Sequence, residues 1–252
     1  MQLSKGAEAG KLVPDEREVY QAMLPLDGAR VLELGCGKAV HTRAIAESGR
    51  VAEIVACEVD EIQQRANMAG PALPRVTFRL GGAEVIDEPD ASFDIVLMFK
   101  SLHHIPGESL DQALGEIHRV LRPGGLVYLS EPVFAGAFNE ILRLFHDEEG
   151  VRRDAFEAMR RSIESGRFEL VEERFFRVPV RFADFAEFDV AVLQVTHTRH
   201  ELSPDLRQAV RERFEAHWGP DGACFSQPLR VDLLRRPADG ADRVTERGPG
   251  AV

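Results

Sequence analysis

Val31-Leu-Glu-Leu-Gly-Cys-Gly-Lys-Ala39 is the stretch that sets the architecture. Val31 to Leu34 reads as a buried strand, Gly35 and Gly37 as a tight turn. A helix follows from about Val40, with Ala44 and Ile45 on its inner face and Gly49 at its end. Glycine accepts positive φ and lets a ligand approach the backbone where a Cβ would collide with it. At the C-terminal end of a parallel strand, such a turn is the expected ligand site of an open α/β sheet. The turn alone assigns no ligand, because strand-to-helix turns favour glycine on steric grounds.

Moving outward, Glu33 stands two residues before Gly35, where a carboxylate can organise contacts to a cationic ligand. Glu58 ends the next apolar run, 21 residues beyond Gly37, where it can accept both hydroxyls of a ribose. Leu121-Arg-Pro-Gly-Gly125 breaks a helix and launches another strand. Strand-end acids are commonly just solvated, and Pro-Gly-Gly is a general turn. The order and spacing of the set carry the weight.

Apolar runs at Val31 to Leu34, Ile54 to Cys57, Val76 to Leu80, Ile95 to Phe99 and Leu126 to Leu129 alternate with helical patterns. That alternation predicts a parallel sheet with helices on both faces. Leu110, Ala113, Leu114, Ile117 and Leu121 fall at helical spacing after Ser109, and Ser109 with Gln112 reads as a capping box. Beyond residue 130 the texture changes, for twelve of the fifteen phenylalanines lie there. Strands are expected at Phe168 to Val178 and Leu229 to Leu234, helices at about 183–195 and 204–217, the latter with Ser203 as N-cap and Pro204 at its first position. The predicted layout is an N-terminal arm at 1–27, a ligand-binding core at 28–131, a part at 132–236 that completes the sheet and covers the site, and a loose tail at 237–252.

The chain has 252 residues and a formal net charge of −11, which disfavours nucleic acid because nonspecific binding rests on basic surface. Three cysteines without metal-like spacing, no signal-peptide h-region and no apolar run of membrane length predict a cytoplasmic protein with no membrane insertion. Oligomeric state is not legible.

Together, Glu33-Leu-Gly-Cys-Gly37, Glu58, Phe93-Asp94, Leu102-His-His-Ile105 and Arg119-Val-Leu-Arg-Pro-Gly-Gly125 resemble the class I S-adenosylmethionine-dependent methyltransferases, especially the group containing quinone-biosynthesis methyltransferases. The likeness covers roughly residues 28–131. It implies a Rossmann-like α/β fold with a mainly parallel seven-stranded sheet, a last strand antiparallel to its neighbours, and a helical substrate-covering insertion. It implies S-adenosylmethionine as cofactor, held by Glu33, Gly35, Cys36, Gly37, Glu58, Val59, Gly82, Ala83, Glu84, Phe99 and Lys100. Two departures stand out. Ala39 replaces the third glycine, which a negative φ would accommodate. Gly82 stands where the family often has an adenine-binding acid, which leaves the adenine to backbone groups near Ala83 and Glu84.

A nicotinamide dehydrogenase fits less well, since its Gly-x-Gly-x-x-Gly fingerprint would need glycine at Val40. A non-catalytic S-adenosylmethionine-binding sensor or partner subunit remains the alternative from another class. Methyl transfer to oxygen or nitrogen needs a base near its working pKa. His103 or Glu131, at the strand ends that overlook the expected methyl, is the candidate; Glu131 capping a turn before Pro132 is the structural reading. His104 is read as hydrogen-bonding a helix start. His197 and His200 lack a third ligand, so no metal is expected. The expected partner is a small or medium organic acceptor. The phenylalanines beyond Pro132 would line its cavity, with His146, Glu148, His197 and Arg199 orienting it.

Overall fold

A computed structural model describes residues 1–195 and 200–238. The expected roles of His197 and Arg199, and the expected looseness of the tail from 239 onward, lie outside those residues. In chain order the elements are β1 (Lys11–Leu12), α1 (Arg17–Met23), β2 (Arg30–Leu34), α2 (Val40–Glu47), β3 (Glu53–Glu58), α3 (Glu61–Ala69), β4 (Val76–Leu80), β5 (Phe93–Phe99), α4 (Leu110–Val120) and β6 (Leu121–Pro132). Then follow α5 (Ala137–Leu142), α6 (Glu149–Glu164), β7 (Glu169–Phe182), α7 (Phe185–Phe188), α8 (Pro204–Glu215), β8 (Trp218–Gly219) and β9 (Gly222–Arg235).

Seven long strands and the two-residue β1 and β8 form one sheet. Its order is β1-β7-β9-β6-β5-β2-β3-β4, with β8 folded back on β9. Strands β2 to β6 pair in parallel, whereas β9 runs antiparallel to both β6 and β7. The last strand is therefore inserted between β6 and β7, in the expected direction. Both C-terminal strands are longer than their apolar runs, because Val180 and Phe182 of β7 and Ala223 and Phe225 of β9 pack in a third apolar core with α5, α7 and α8.

Alternation along β2 sends Leu32 and Leu34 to one core and Val31 to the other. The first core also takes Leu114 and Ile117 of α4 and Phe156 and Met159 of α6; the second takes Tyr20 of α1 and Ile45 of α2. Each such fully buried side chain contributes on the order of 2 kcal/mol, so both sheet faces are held by helices. Consecutive strands β2, β3 and β4 step outward one way, and β5 then lies on the other side of β2. This reversal opens a crevice at the C-terminal ends of β2 and β5.

Three local expectations are corrected. Ala39 takes φ +55°, a left-handed conformation, and is fully buried. Its amide bonds the Cys36 carbonyl at 2.8 Å, which closes the turn and holds the residue there despite a cost of about 1–2 kcal/mol. Ser109 makes no side-chain cap: Gly107–Ser109 already forms a 3-10 turn ahead of α4, and Gln112 Nε2 donates instead to the Glu84 carbonyl at 2.8 Å. The helix expected at 183–195 is only α7, four residues long, continued by a π turn at Asp189–Leu193.

Half of the twelve phenylalanines beyond Pro132 fill a third core. Phe138, Phe182, Phe185, Phe188, Phe214 and Phe225 pack into one cluster and are 0–8% exposed, so they form a packed core rather than the lining of a large cavity. Six rings packed into one cluster are solid packing; the half-buried Phe145 packs against it, and the half-buried Phe134 lies under the guanidinium groups of Arg143 and Arg152. Phe225 is thus interior, while Trp218 is 53% exposed.

Candidate active site

The glycine turn is built from both sides. Gly35 and Cys36 donate their amides to the Cys57 carbonyl, each at 2.9 Å, which ties the turn to β3. Gly35 has φ +71°, and a Cβ there would lie 2.7 Å from Ser101 Cβ, so only glycine fits. Gly37 has φ +51° and open space where its Cβ would be. From α3, Asn67 Nδ2 donates to the Gly37 carbonyl at 2.8 Å. Gln64 Nε2 donates to the carbonyls of Ala56 and Arg79 at 3.0 and 2.5 Å. This helix is docked by buried amides rather than by an apolar stripe, which polar periodicity alone conceals.

Glu33 is 2% exposed and accepts the Thr42 hydroxyl at 2.6 Å. Burial pushes its carboxyl up to about 7; the Thr42 bond opposes that rise and the Glu58 charge adds to it. A cationic group arriving at the turn would favour the ionised form. Glu58 is also buried, and its carboxylate accepts three backbone amides: Gly37 at 2.7 Å, Val59 at 2.8 Å and Asp60 at 3.0 Å. The residue expected to bind a ribose is therefore also the clamp that shapes the turn. About one of its four lone-pair positions is left for a hydroxyl.

Around Glu58 stand large apolar side chains with nothing over them. Val59 is 65%, Leu80 57% and Val85 72% exposed, beside Gly82 and the buried Ala83. Opposite the turn, Phe99 stacks on His41 with ring centres 3.9 Å apart, and Tyr20 of α1 meets both rings edge-on. Burial, and then the Lys100 charge, hold the His41 imidazole down at about 4, so it is neutral. Lys100 follows β5 at φ +56°, and its amide donates to the Ser130 carbonyl at 2.6 Å. The Tyr20 hydroxyl is buried without a hydrogen-bond partner among the described residues. An acid under exposed apolar side chains, an open glycine turn and an orphaned hydroxyl fit a nucleoside joined to a charged tail.

His103 and Glu131 come together at the ends of β5 and β6. His103 Nδ1 is hydrogen-bonded to Glu131 Oε2, and the Leu102 amide donates to Glu131 Oε1 at 3.0 Å. Glu131 thus orients the ring rather than capping a turn before Pro132. On the other side, His103 Nε2 faces Glu148 Oε1 at 3.6 Å. Burial opposes charge on His103, but the Glu131 and Glu148 carboxylates outweigh it and push the imidazole up to about 9. Burial raises Glu131, yet His103, the Leu102 amide and Arg230 together bring it below its usual range. His104 is exposed beside the ring of His103.

Of the polar residues expected to orient an acceptor, Glu148 faces this pair and His146 contacts Glu148. Sequence reasoning missed Glu16, Tyr20, His41 and Arg152. Glu16 accepts the Tyr128 hydroxyl at 3.2 Å across 112 positions, Arg152 reaches Asn139 across 13 and Glu148 across 4, and only the last, one helical turn, carried a local signal.

A family model described as a methyltransferase domain matches residues 31–125. A protein of Mycolicibacterium smegmatis named "Probable S-adenosylmethionine-dependent methyltransferase" is 34% identical over 218 residues, covering 85% of this chain and 77% of its own. The 27-O-demethylrifamycin SV methyltransferase of Amycolatopsis mediterranei is 36% identical over 114 residues, 43% of this chain and 41% of its own. Among solved structures, the YcgJ protein of Bacillus subtilis superimposes with a TM-score of 0.61 at 17% identity, covering 87% of this chain and 97% of its own, a likeness of fold.

Proposed function

The chain belongs to the S-adenosylmethionine-dependent methyltransferases and uses S-adenosylmethionine as cofactor, and from that premise we propose that it methylates a small or medium organic acceptor beneath the lobe built from residues 132–236. The observation that carries the proposal is the buried Glu131–His103 pair, set where the sheet ends meet that lobe.

Glu58 is assigned to a ribose hydroxyl, and the turn at Gly35, Cys36 and Gly37, backed by Glu33, to the methionine end. Val59, Gly82, Ala83 and Glu84 are assigned to the adenine, and Phe99 and Lys100 to the side facing the acceptor. When bound, the cofactor supplies a methyl group already activated on a sulfonium. What remains for the chain is to align the acceptor in line, exclude water and take a proton. Glu131 holds Nδ1 of His103, so Nε2 is left as the atom that would face the acceptor and, once deprotonated, receive its proton.

The acceptor class follows from three supports. The net charge of −11 disfavours a polyanion. Phe134, Phe145 and His146 are half-buried within residues 132–236, leaving apolar and polar surface together of a kind suited to a compact molecule. The Amycolatopsis relative is named for a small organic compound. Among the described residues no helix is long and apolar enough to cross a membrane.

Changing the lining tests this division of labour. Phe145→Ala and His146→Ala are expected to lower acceptor-dependent formation of S-adenosylhomocysteine, measured with a small-metabolite extract, by about tenfold or more. Calorimetric affinity for S-adenosylhomocysteine should stay within about twofold, because the two ligands use different strand ends and loops. Loss of cofactor binding in a folded variant would contradict the proposal. Cofactor binding with no acceptor-dependent product would favour the non-catalytic alternative.

A further inference from the structure

One buried polar chain runs from the sheet into the lobe. Glu131 holds His103 Nδ1; His103 Nε2 faces Glu148 Oε1 at 3.6 Å; Glu148 Oε2 accepts Arg152 Nη2 at 2.5 Å; Arg152 Nη1 donates to Asn139 Oδ1 at 3.1 Å. His146 Nε2 reaches the same Glu148 Oε1 at 3.0 Å. The links are unequal. The contact between His103 and Glu148 lies outside normal hydrogen-bond range, and it joins the sheet-borne pair to the lobe-borne pair.

We propose that Glu148 is a positioning residue that decides when His103 can act as a base: its carboxylate occupies the place at Nε2 that the acceptor's nucleophile takes in the reacting complex. This rests on the reading of Glu131 and His103 as the proton-accepting pair. With Nδ1 committed to Glu131, Nε2 is the ring's remaining atom for chemistry. A carboxylate is acceptor-only, so a ring lying between two of them carries a proton on each nitrogen and cannot accept another. The raised proton affinity of His103 is the electrostatic face of the same geometry. When Glu148 withdraws, Nε2 releases its proton to water. The vacated lone pair then takes the proton of the acceptor's O–H or N–H, whose bonding electrons stay on the nucleophile.

Withdrawal leaves Glu148 with its own counter-ion, because Arg152 lies one turn further along the same helical segment. Ala155, Phe156, Ala158 and Met159 pin the rest of α6 in the first core, so the swing is confined to the Glu148 side chain and the turn before it. The charged and titratable groups that act on this position are Glu131 from β6, Arg230 from β9, Glu148 and Arg152 at the start of α6, His146 before it, and His104 beside the ring. A divalent cation is the competing occupant, since donor atoms of His103, His104 and Glu148 lie within 4.8 Å of one another. The Arg152 guanidinium already neutralises Glu148 there, which argues against a second cation.

The test is a pH titration of the histidine rings by NMR on nitrogen-15-labelled full-length protein, with His103→Gln identifying the signal. In the wild type, both His103 nitrogens should stay protonated through neutral pH. In Glu148→Gln the midpoint should fall by about one to two pH units. Glu148→Asp, which keeps the charge but draws it back, should give a smaller fall and serves if the glutamine variant does not fold. An unchanged midpoint in a folded variant would overturn the proposal, as would stoichiometric zinc binding by the wild type that Glu148→Gln abolishes. The parent reading fails by a different result, full methyl transfer by His103→Gln, so the two failures are distinguishable.

Discussion

Glu58→Ala is expected to weaken S-adenosylmethionine binding by at least about 100-fold, measured by calorimetry on folded protein. Two losses add. A ribose hydroxyl loses its charged acceptor, and a hydrogen bond to a charged group is worth roughly 1.5–3 kcal/mol. The glycine turn also loses the group that gathers the amides of Gly37, Val59 and Asp60. A turn no longer held in its binding shape must be ordered at the ligand's expense. Glu58→Gln retains size and one acceptor oxygen but loses charge, so it should fall between the wild type and alanine. Unchanged affinity in Glu58→Ala, or preference of the wild type for a nicotinamide dinucleotide, would remove the basis of the cofactor assignment.

The second large effect belongs to the buried pair. His103→Gln and Glu131→Gln should each lower turnover by about 10²–10⁴-fold while cofactor affinity changes little, because general-base catalysis contributes on that scale. They should also destabilise the fold by about 3–5 kcal/mol, since removing one partner leaves a buried group uncompensated. Stability should follow pH in a defined sense. His103 binds its proton more tightly folded than unfolded, so its contribution is full below about 6.5 and lost as pH rises through about 9. Glu131 and Glu148 are shifted the other way, so their contribution is present above the usual carboxylate range and lost in acid. Denaturant titrations at pH 7 and pH 10 should therefore show a larger drop for the wild type than for His103→Gln. Equal drops would mean that the folded protein does not hold His103 charged.

How much of this was legible depends on the distance over which each feature is specified. The strand ending at Leu34, the glycine turn, Glu58 at the end of β3 and the His103 position after β5 are local patterns, and they lie at the C-terminal ends of β2, β3 and β5. The direction of β9 came with the family resemblance rather than from its own residues. Ala39 read as tolerable at negative φ because propensity is a local average, and the fixed ends of the turn override it. Ser109 carried a capping signature whose partner, Gln112, found a carbonyl on another loop. The phenylalanine-rich segment announced burial but not what it buries against; strand extension into the lobe turned a supposed cavity lining into a third core. Arg152 and Tyr20 are polar and aromatic residues at ordinary helical positions, and only tertiary contacts separate them from the rest.

The proposed function is transfer of a methyl group from S-adenosylmethionine to a small organic acceptor, with Glu131 and His103 managing the proton. Its most direct test is mass spectrometry after incubating the wild type and His103→Gln with carbon-13-methyl S-adenosylmethionine and a cell extract split into small-molecule and macromolecular fractions. The predicted result is label in the small-molecule fraction with matching S-adenosylhomocysteine, nearly lost in His103→Gln. Label confined to protein or nucleic acid, or undiminished transfer by the variant, would contradict it.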